Sequence, residues 1–203
     1  MVVVSRALIS VFNKTGIVDF AKGLAKWEPE VLSTGGTAGL IAGAGVPVRE
    51  ISDFTGFPEL FDGRLKTIHP KVAGGLLYMR HSAEHAEQAL ANQIYPIDLL
   101  VVNFYDFETE TKKTGATFWD ILEKVDIGGP SMIRAAAKNF RDVVVVTSPD
   151  DYAGVLQEME RNNGGISYET CFRLMQAAFK YTAKYEAKID EYMQAVYEIP
   201  ALS

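Results

Sequence analysis

The chain reads as a doubly wound α/β domain, a mostly parallel sheet flanked by helices, with a long helix towards its C-terminal end. Three observations predict this. Short apolar runs such as residues 97–102 and 143–146 lack the polar alternation of half-exposed strands, as expected of strands covered on both faces. Stretches with apolar residues at helical spacing separate those runs and would supply the crossovers of a parallel sheet. Residues rich in glycine, hydroxyls and lysine follow the runs, at the carboxyl ends where open parallel sheets bind ligands.

In chain order, residues 7–11 form the first predicted strand, which stops at Asn13. Residues 15–27 place Ile17, Phe20, Ala21 and Leu24 on one helical face. A second strand ends at Ser33, and Thr37 is expected to cap a helix that runs through Ala44 and stops at Gly45. A third strand is expected over residues 47–51, then a long loop, a helix over 83–92 and a strongly apolar fourth strand over 97–102. Short helices over 118–125 and 130–139, the latter with Pro130 at its permitted first position, lead to a fifth strand over 143–146. Ser148-Pro149 starts a helix to about residue 162. Residues 167–196 carry Phe172, Met175, Phe179, Tyr185, Ile189 and Tyr192 at helical spacing, a stripe that suits core or dimer contact. Gly115 and Asn162-Asn-Gly-Gly165 read as turns rather than linkers. One domain is therefore expected, with an α/β core over 1–147 and packed C-terminal helices over 148–203.

Composition narrows the function. The chain has 203 residues, 48% of them hydrophobic, and at that length a domain buries roughly 70% of its unfolded surface without staples. A formal charge of −6 gives no global attraction to a phosphate backbone, so nucleic acid is not an expected partner and any anion site must be a local concentration of donors. The single cysteine, Cys171, permits neither a disulfide framework nor a thiolate metal site and reads as a small core residue. No run approaches the roughly 18 apolar residues of a membrane span, and Met1 to Arg6 is too short for a signal peptide, so a cytoplasmic protein without membrane contact is expected. His81 and His85 sit four apart, but no third ligand clusters with them and no metal is expected.

The strand ends carry the candidate chemistry. Ser10, Asn13 and Lys14 follow the first strand. Ser33-Thr34-Gly35-Gly36-Thr37 follows the second and joins glycines that admit backbone amides, hydroxyl donors and a helix N-terminus, the parts of a phosphate cradle. A plain strand-to-helix turn has the same composition, and neither the dinucleotide fingerprint nor the Walker A pattern is matched. Asp62-Gly-Arg-Leu-Lys-Thr-Ile-His-Pro70 sets Arg64, Lys66, Thr67 and His69 in one loop, either an anion contact or a solvated basic loop. Asn103 and Tyr105 follow the fourth strand. In Val125-Asp-Ile-Gly-Gly-Pro130 a lone acid precedes two glycines and a helix start. Amides there could stabilise an oxyanion while Asp126 titrates or orients a partner, or the segment could be turn and cap alone. Arg134 and Lys138 share a face of the following helix.

Together, Ser10-Val-Phe-Asn-Lys-Thr-Gly16, Ser33-Thr-Gly-Gly-Thr37, Thr55-Gly-Phe-Pro-Glu59, Gly63-Arg-Leu-Lys-Thr-Ile-His-Pro-Lys71, Asn103-Phe-Tyr105 and Asp126-Ile-Gly-Gly-Pro-Ser-Met-Ile-Arg-Ala-Ala-Ala-Lys-Asn139 resemble the inosine-monophosphate (IMP) cyclohydrolase domain of the bifunctional AICAR transformylase/IMP cyclohydrolase family. The resemblance covers nearly the whole chain. It implies a methylglyoxal-synthase-like α/β fold, no cofactor or metal, and dehydrative closure of 5-formamidoimidazole-4-carboxamide ribotide to inosine monophosphate. With the long C-terminal helix, it also favours a homodimer.

The resemblance further implies phosphate binding by Ser10, Lys14, Thr34, Gly35, Gly36 and Thr37, with Phe12, Asn13, Arg64, Lys66 and Thr67 nearby. Asn103, Tyr105, Asp126, Ile127, Gly128 and Gly129 would surround the base. The chemistry then asks Lys66, Tyr105 and Asp126 to form a proton relay, and Asn103 with amides near Ile127-Gly128 to hold the oxyanion. Lys138 matches a lysine proposed as catalytic in the family, although it lies eight residues beyond Pro130, about 12 Å along a helix. Phe12-Asn13, Phe104 and Asp106 vary from the usual family forms, and Thr34 replaces a serine with the hydroxyl retained. The family's second domain, which uses 10-formyltetrahydrofolate, has no counterpart in this sequence, so transformylase activity is not expected of it. Two other readings share the cradle. A methylglyoxal-synthase-like phosphate lyase should carry Gly-Pro-x-Gly-Gly-Asp where this chain has Arg64-Leu-Lys-Thr67. A non-catalytic nucleotide sensor needs the cradle but not the Lys66, Tyr105, Asp126 set.

Overall fold

In the computed structural model, which describes residues 1–196, the apolar runs pair into one parallel sheet with helices on both faces. The elements are β1 (Val2–Val3), β2 (Arg6–Val11), α1 (Ile17–Leu24), β3 (Glu30–Ser33), α2 (Gly35–Gly43), β4 (Arg49–Glu50), α3 (Ile51–Thr55), α4 (Pro70–Leu77) and α5 (Ala83–Ala91) in the first half. The second half holds β5 (Leu99–Asn103), α6 (Phe107–Thr111), α7 (Phe118–Leu122), α8 (Gly128–Lys138), β6 (Val144–Val146), α9 (Tyr152–Arg161), β7 (Gly165–Ile166) and α10 (Tyr168–Gln194). The last seven residues of the expected C-terminal segment, 197–203, lie outside the described residues.

Sheet order is β4-β3-β2-β5-β6, with every neighbouring pair parallel. The order reverses direction beside β2, which pairs with β3 on one side and β5 on the other. That switch point is where a doubly wound sheet opens a crevice at its carboxyl edge. Register sets Ile9 beside Ser33, and Ser10 and Val11 beside Val102 and Asn103, so the polar ends of three strands emerge together. Alternate residues of each strand enter opposite cores. Ala7, Ile9, Leu99 and Val101 pack with α1 and α9, while Leu8, Leu100 and Val102 pack with α4 and α8. Helix α10 serves both sides: Cys171 and Leu174 lie in the first core, Ala178 and Tyr185 in the second. Burial pushes the Cys171 thiol up to about 12, which suits a core residue and not a nucleophile.

Several expected boundaries move. The helix after β3 begins at Gly35, two residues before the expected cap, with Thr34 as the extended N-cap residue. Thr37 lies inside it and bonds sideways to β2. The third strand is only two residues long, because Ile51 turns into the core to open α3. The expected long loop holds both α3 and α4. Helix α4 carries Gly74-Gly75, poor helix formers that composition argues against, yet a Cβ on Gly75 would come within 2.6 Å of the Tyr95 carbonyl oxygen. Close packing requires the glycine there. His69 caps this helix by accepting the Lys71 N–H on Nδ1. Helix α8 starts at Gly128, which puts Pro130 third and not first. Gly165, read as part of a turn, opens β7, which pairs antiparallel with β1.

Candidate active site

The carboxyl ends of β2, β3 and β5, the loop before α4 and the start of α8 enclose a cleft of ≈ 880 Å³. One wall is the first turn of α2. Thr34 makes no side-chain cap bond, and nothing lies within 4 Å of where a Cβ on Gly35 or Gly36 would stand, so the helix's first amides are open to the cleft. Such amides and the helix dipole favour an anion. Ser10 Oγ and Thr34 Oγ1, 3.2 Å apart, add hydroxyls. Thr37 is a peg: its buried hydroxyl donates to Val11 O at 3.0 Å and accepts from Lys14 Nζ at 2.7 Å. Its own contact with an anion would therefore be through the backbone. Lys14 Nζ also donates to Val11 O, which holds the ammonium at the cleft. Burial and the charge of Lys66 together hold the Lys14 pKa below the usual lysine range.

The same cleft is lined by Lys66, Tyr105 and Asp126. Burial raises the Asp126 pKa above the ordinary carboxyl range, against the Gly129 N–H, the Lys66 charge and the Gly128 N–H, which all favour the carboxylate. Burial likewise raises the Tyr105 pKa, and Tyr185 and Asp126 add to it, so the phenol stays protonated. Phe12 meets Tyr105 edge to face at 5.4 Å and lines the cleft beside it. Thr67 and Ile127 line the cleft, the first buried and the second exposed at its mouth. Arg64 lines it too, but its guanidinium forks onto Glu123, with Nε 2.9 Å from Oε1 and Nη2 on Oε2.

Gly128 and Gly129 are there because nothing larger fits. A Cβ on Gly128 would stand 2.6 Å from Thr67 Oγ1, and one on Gly129 would stand 2.9 Å from Asp126 Oδ2 and 3.1 Å from the Phe104 ring. The amides of this turn were expected to hold an oxyanion, yet Gly129 N–H donates to Asp126 Oδ1 at 2.8 Å. The carboxyl whose pKa burial raises thus also caps the first turn of α8. Asn103 is likewise engaged. Its Oδ1 accepts the Asn13 N–H at 2.8 Å and its Nδ2 donates to Asn13 O at 3.4 Å, a clasp that fixes the Phe12–Lys14 turn. Asn13 itself faces a neighbouring cleft of ≈ 900 Å³ that shares Phe12, Lys14 and Tyr105 as walls.

Lys138 is not brought to the cleft. It is exposed as the last residue of α8, whose first residues carry the Asp126 cap, so eleven residues of helix, about 15 Å, separate them. Two residues that sequence reasoning missed stand behind the site. Tyr181 Oη accepts the Phe104 N–H and donates to Phe104 O, at 3.1 and 3.0 Å, and Tyr185 Oη accepts the Asp126 N–H at 2.8 Å. Their spacing of four was legible, but a tyrosine in an apolar stripe gives no sign of where its hydroxyl goes. His85 Nδ1 accepts the Met79 N–H, and no group of three or more metal-binding side chains occurs among the described residues. Nor, among them, is any helix long and apolar enough to cross a membrane.

A crevice at the switch point of a parallel sheet, lined by a helix N-terminus and by titratable side chains, is the arrangement of a doubly wound α/β domain whose cleft suits an anion. Residues 16–131 match the model of the MGS-like domain family, and residues 136–202 match that of the AICARFT/IMPCHase bienzyme. A solved structure titled "Crystal structure of ForH" superposes with a TM-score of 0.82 at 34% identity, covering 93% of this chain and 98% of that one. The chain belongs to the MGS-like domain family, as an IMP cyclohydrolase-type domain.

Proposed function

We propose that the cleft is an IMP cyclohydrolase site, closing the formamido-carboxamide ribotide to inosine monophosphate. One observation carries this reading: an anion cradle at α2 and the side chains of Lys66, Tyr105 and Asp126 line a single cleft of nucleotide size. Anchoring the 5′-phosphate at the cradle would present the base to those side chains.

The reaction makes one C–N bond and expels one water. The carboxamide nitrogen attacks the formyl carbon, and the departing oxygen takes one hydrogen from each of the two nitrogens. An amide is a poor nucleophile, so its proton must be accepted as the bond forms, and the oxygen must be held while it gains charge. In this reading Asp126 accepts the proton, and its raised pKa lets it return that proton to the leaving oxygen. Tyr105, kept neutral by burial, donates a hydrogen bond to that oxygen beside the Lys66 ammonium. Asn103 acts indirectly by fixing the Phe12–Lys14 turn, and Lys138 has no assigned step. No electron is transferred and no carried group is moved, so the proposed reaction calls for neither cofactor nor metal. A single working domain acting as a cytoplasmic homodimer belongs to the same reading.

The test is direct. Purified chain is mixed with the formylated ribotide and inosine monophosphate formation is followed by ultraviolet absorbance. Turnover above the spontaneous rate is expected; nucleotide binding without turnover would replace this reading with that of a sensor.

A further inference from the structure

Helix α10 runs behind the strand-end loops and sends two tyrosine hydroxyls, four residues apart, into them. Tyr181 occupies both backbone polar groups of Phe104, the residue before Tyr105. The Phe104 ring in turn stacks on Tyr181 at 4.6 Å and tilts onto Tyr185 at 4.2 Å. That ring is also the surface against which Gly129 packs. Tyr185, only 5% exposed, accepts the Asp126 N–H at 2.8 Å and lies beside the Tyr105 hydroxyl. An amide hydrogen bond accepted by a buried phenol fixes the backbone at Asp126, next to the carbon that carries its carboxymethyl side chain.

We infer that Tyr185 is a positioning residue for the ring-closing reaction: by accepting the Asp126 N–H it pins the turn that carries the Asp126 carboxylate, and so holds that carboxylate in place at the cleft. Tyr181 supports the arrangement by fixing the backbone of Phe104, whose ring packs against Tyr185 and Gly129. The inference rests on the cyclohydrolase reading of the site. It assigns to the C-terminal helix a role that core packing does not need, since phenylalanine would fill the same space at position 185.

The test is Tyr185→Phe, which keeps the ring and removes the hydroxyl. Turnover should fall about tenfold while KM and inosine monophosphate affinity change less than twofold, because the phosphate cradle is untouched. In an Asp126→Asn background the same change should cost less than twofold, since the carboxylate it positions is gone; additive losses would overturn the positioning role. Amide exchange gives a readout independent of activity. The Asp126 N–H should exchange at least tenfold faster in Tyr185→Phe while the β2 and β5 amides keep their protection. Unchanged exchange at Asp126 overturns the pinning, whether or not the chain turns over. Absence of turnover in the wild-type chain would instead overturn the ring-closing reading and, with it, the catalytic half of this inference.

Discussion

At the scale of single residues, two lysines that look alike in sequence do different work. Lys14 is held by Val11 O and Thr37 at the cradle, whereas the charge of Lys66 favours the carboxylate form of Asp126. Lys14→Ala should therefore weaken nucleotide affinity at least tenfold with little change in kcat, and Lys66→Ala should lower kcat at least tenfold with a smaller change in affinity. Calorimetric titration with inosine monophosphate beside steady-state kinetics separates the two; equal losses of both quantities in both variants would contradict the division. Asp126 gives a pH prediction. As the proton acceptor it must be ionised, so kcat should rise with pH along a limb centred above the ordinary carboxyl pKa of ~4, and Asp126→Asn should remove that limb. The linkage sign follows from the same shift. A carboxyl whose folded pKa is raised binds its proton more tightly folded than unfolded, so its contribution to stability falls as pH rises through that range. Denaturant midpoints of Asp126→Asn should accordingly gain on wild type between acid and neutral pH. The acid's place beside two glycines was legible in the sequence. That its carboxylate would take up the very amides expected to bind an oxyanion was not, because a motif names the groups but not their partners.

At the scale of elements, legibility followed length. The fully buried runs of β5 and β6 declare themselves by apolar continuity, and α1 and α10 by periodicity. Helices α3 and α6 have five residues each, too few for a period to show, and β1 and β7 have two each and exist only through each other. Helix α4 was hidden for another reason, its glycines being selected by the approach of residues 95–97 against local propensity. The candidate site depends most on the α8 start, a segment that the sequence had singled out. Gly129→Ala should test how tightly that turn must close. The new methyl has to displace either the Asp126 carboxylate or the Phe104 ring, so kcat should fall at least tenfold for a stability cost of about 1–3 kcal/mol. Kinetics and urea denaturation on the same preparation check it, and wild-type kcat would show that the Asp126 carboxylate does not need its present position.

Across the whole molecule, stability and chemistry occupy opposite edges of the sheet. The carboxyl edge carries the open amides, the raised carboxyl and the half-buried Tyr105 phenol. At the amino edge Asp98, 4% exposed, accepts the Ser5 and Arg6 N–H groups at 2.8 Å each and pairs with Arg80 at 2.6 Å. Arg80 also donates to Ile97 O, and Arg6 reaches Glu30 at 2.5 Å and Pro96 O at 2.6 Å, so one buried acid ties β2 to β5 and, through the arginines, to the β3 start. The sequence does not mark Asp98 as a hub, since it lies within the strongly apolar run of residues 97–102. Removing it strands two amides and a half-buried guanidinium, and breaking such a buried pair costs about 3–5 kcal/mol. Asp98→Ala should lower the urea midpoint by a corresponding amount, yet leave kcat per folded molecule within twofold of wild type, because β2 and β5 still deliver Ser10 and Asn103 to the same height at the far edge. The opposite pattern is expected of Gly129→Ala, with activity lost well before the fold. A large kcat loss in folded Asp98→Ala would mean that strand register at the amino edge is transmitted to the cleft, and that the two edges are not energetically separate.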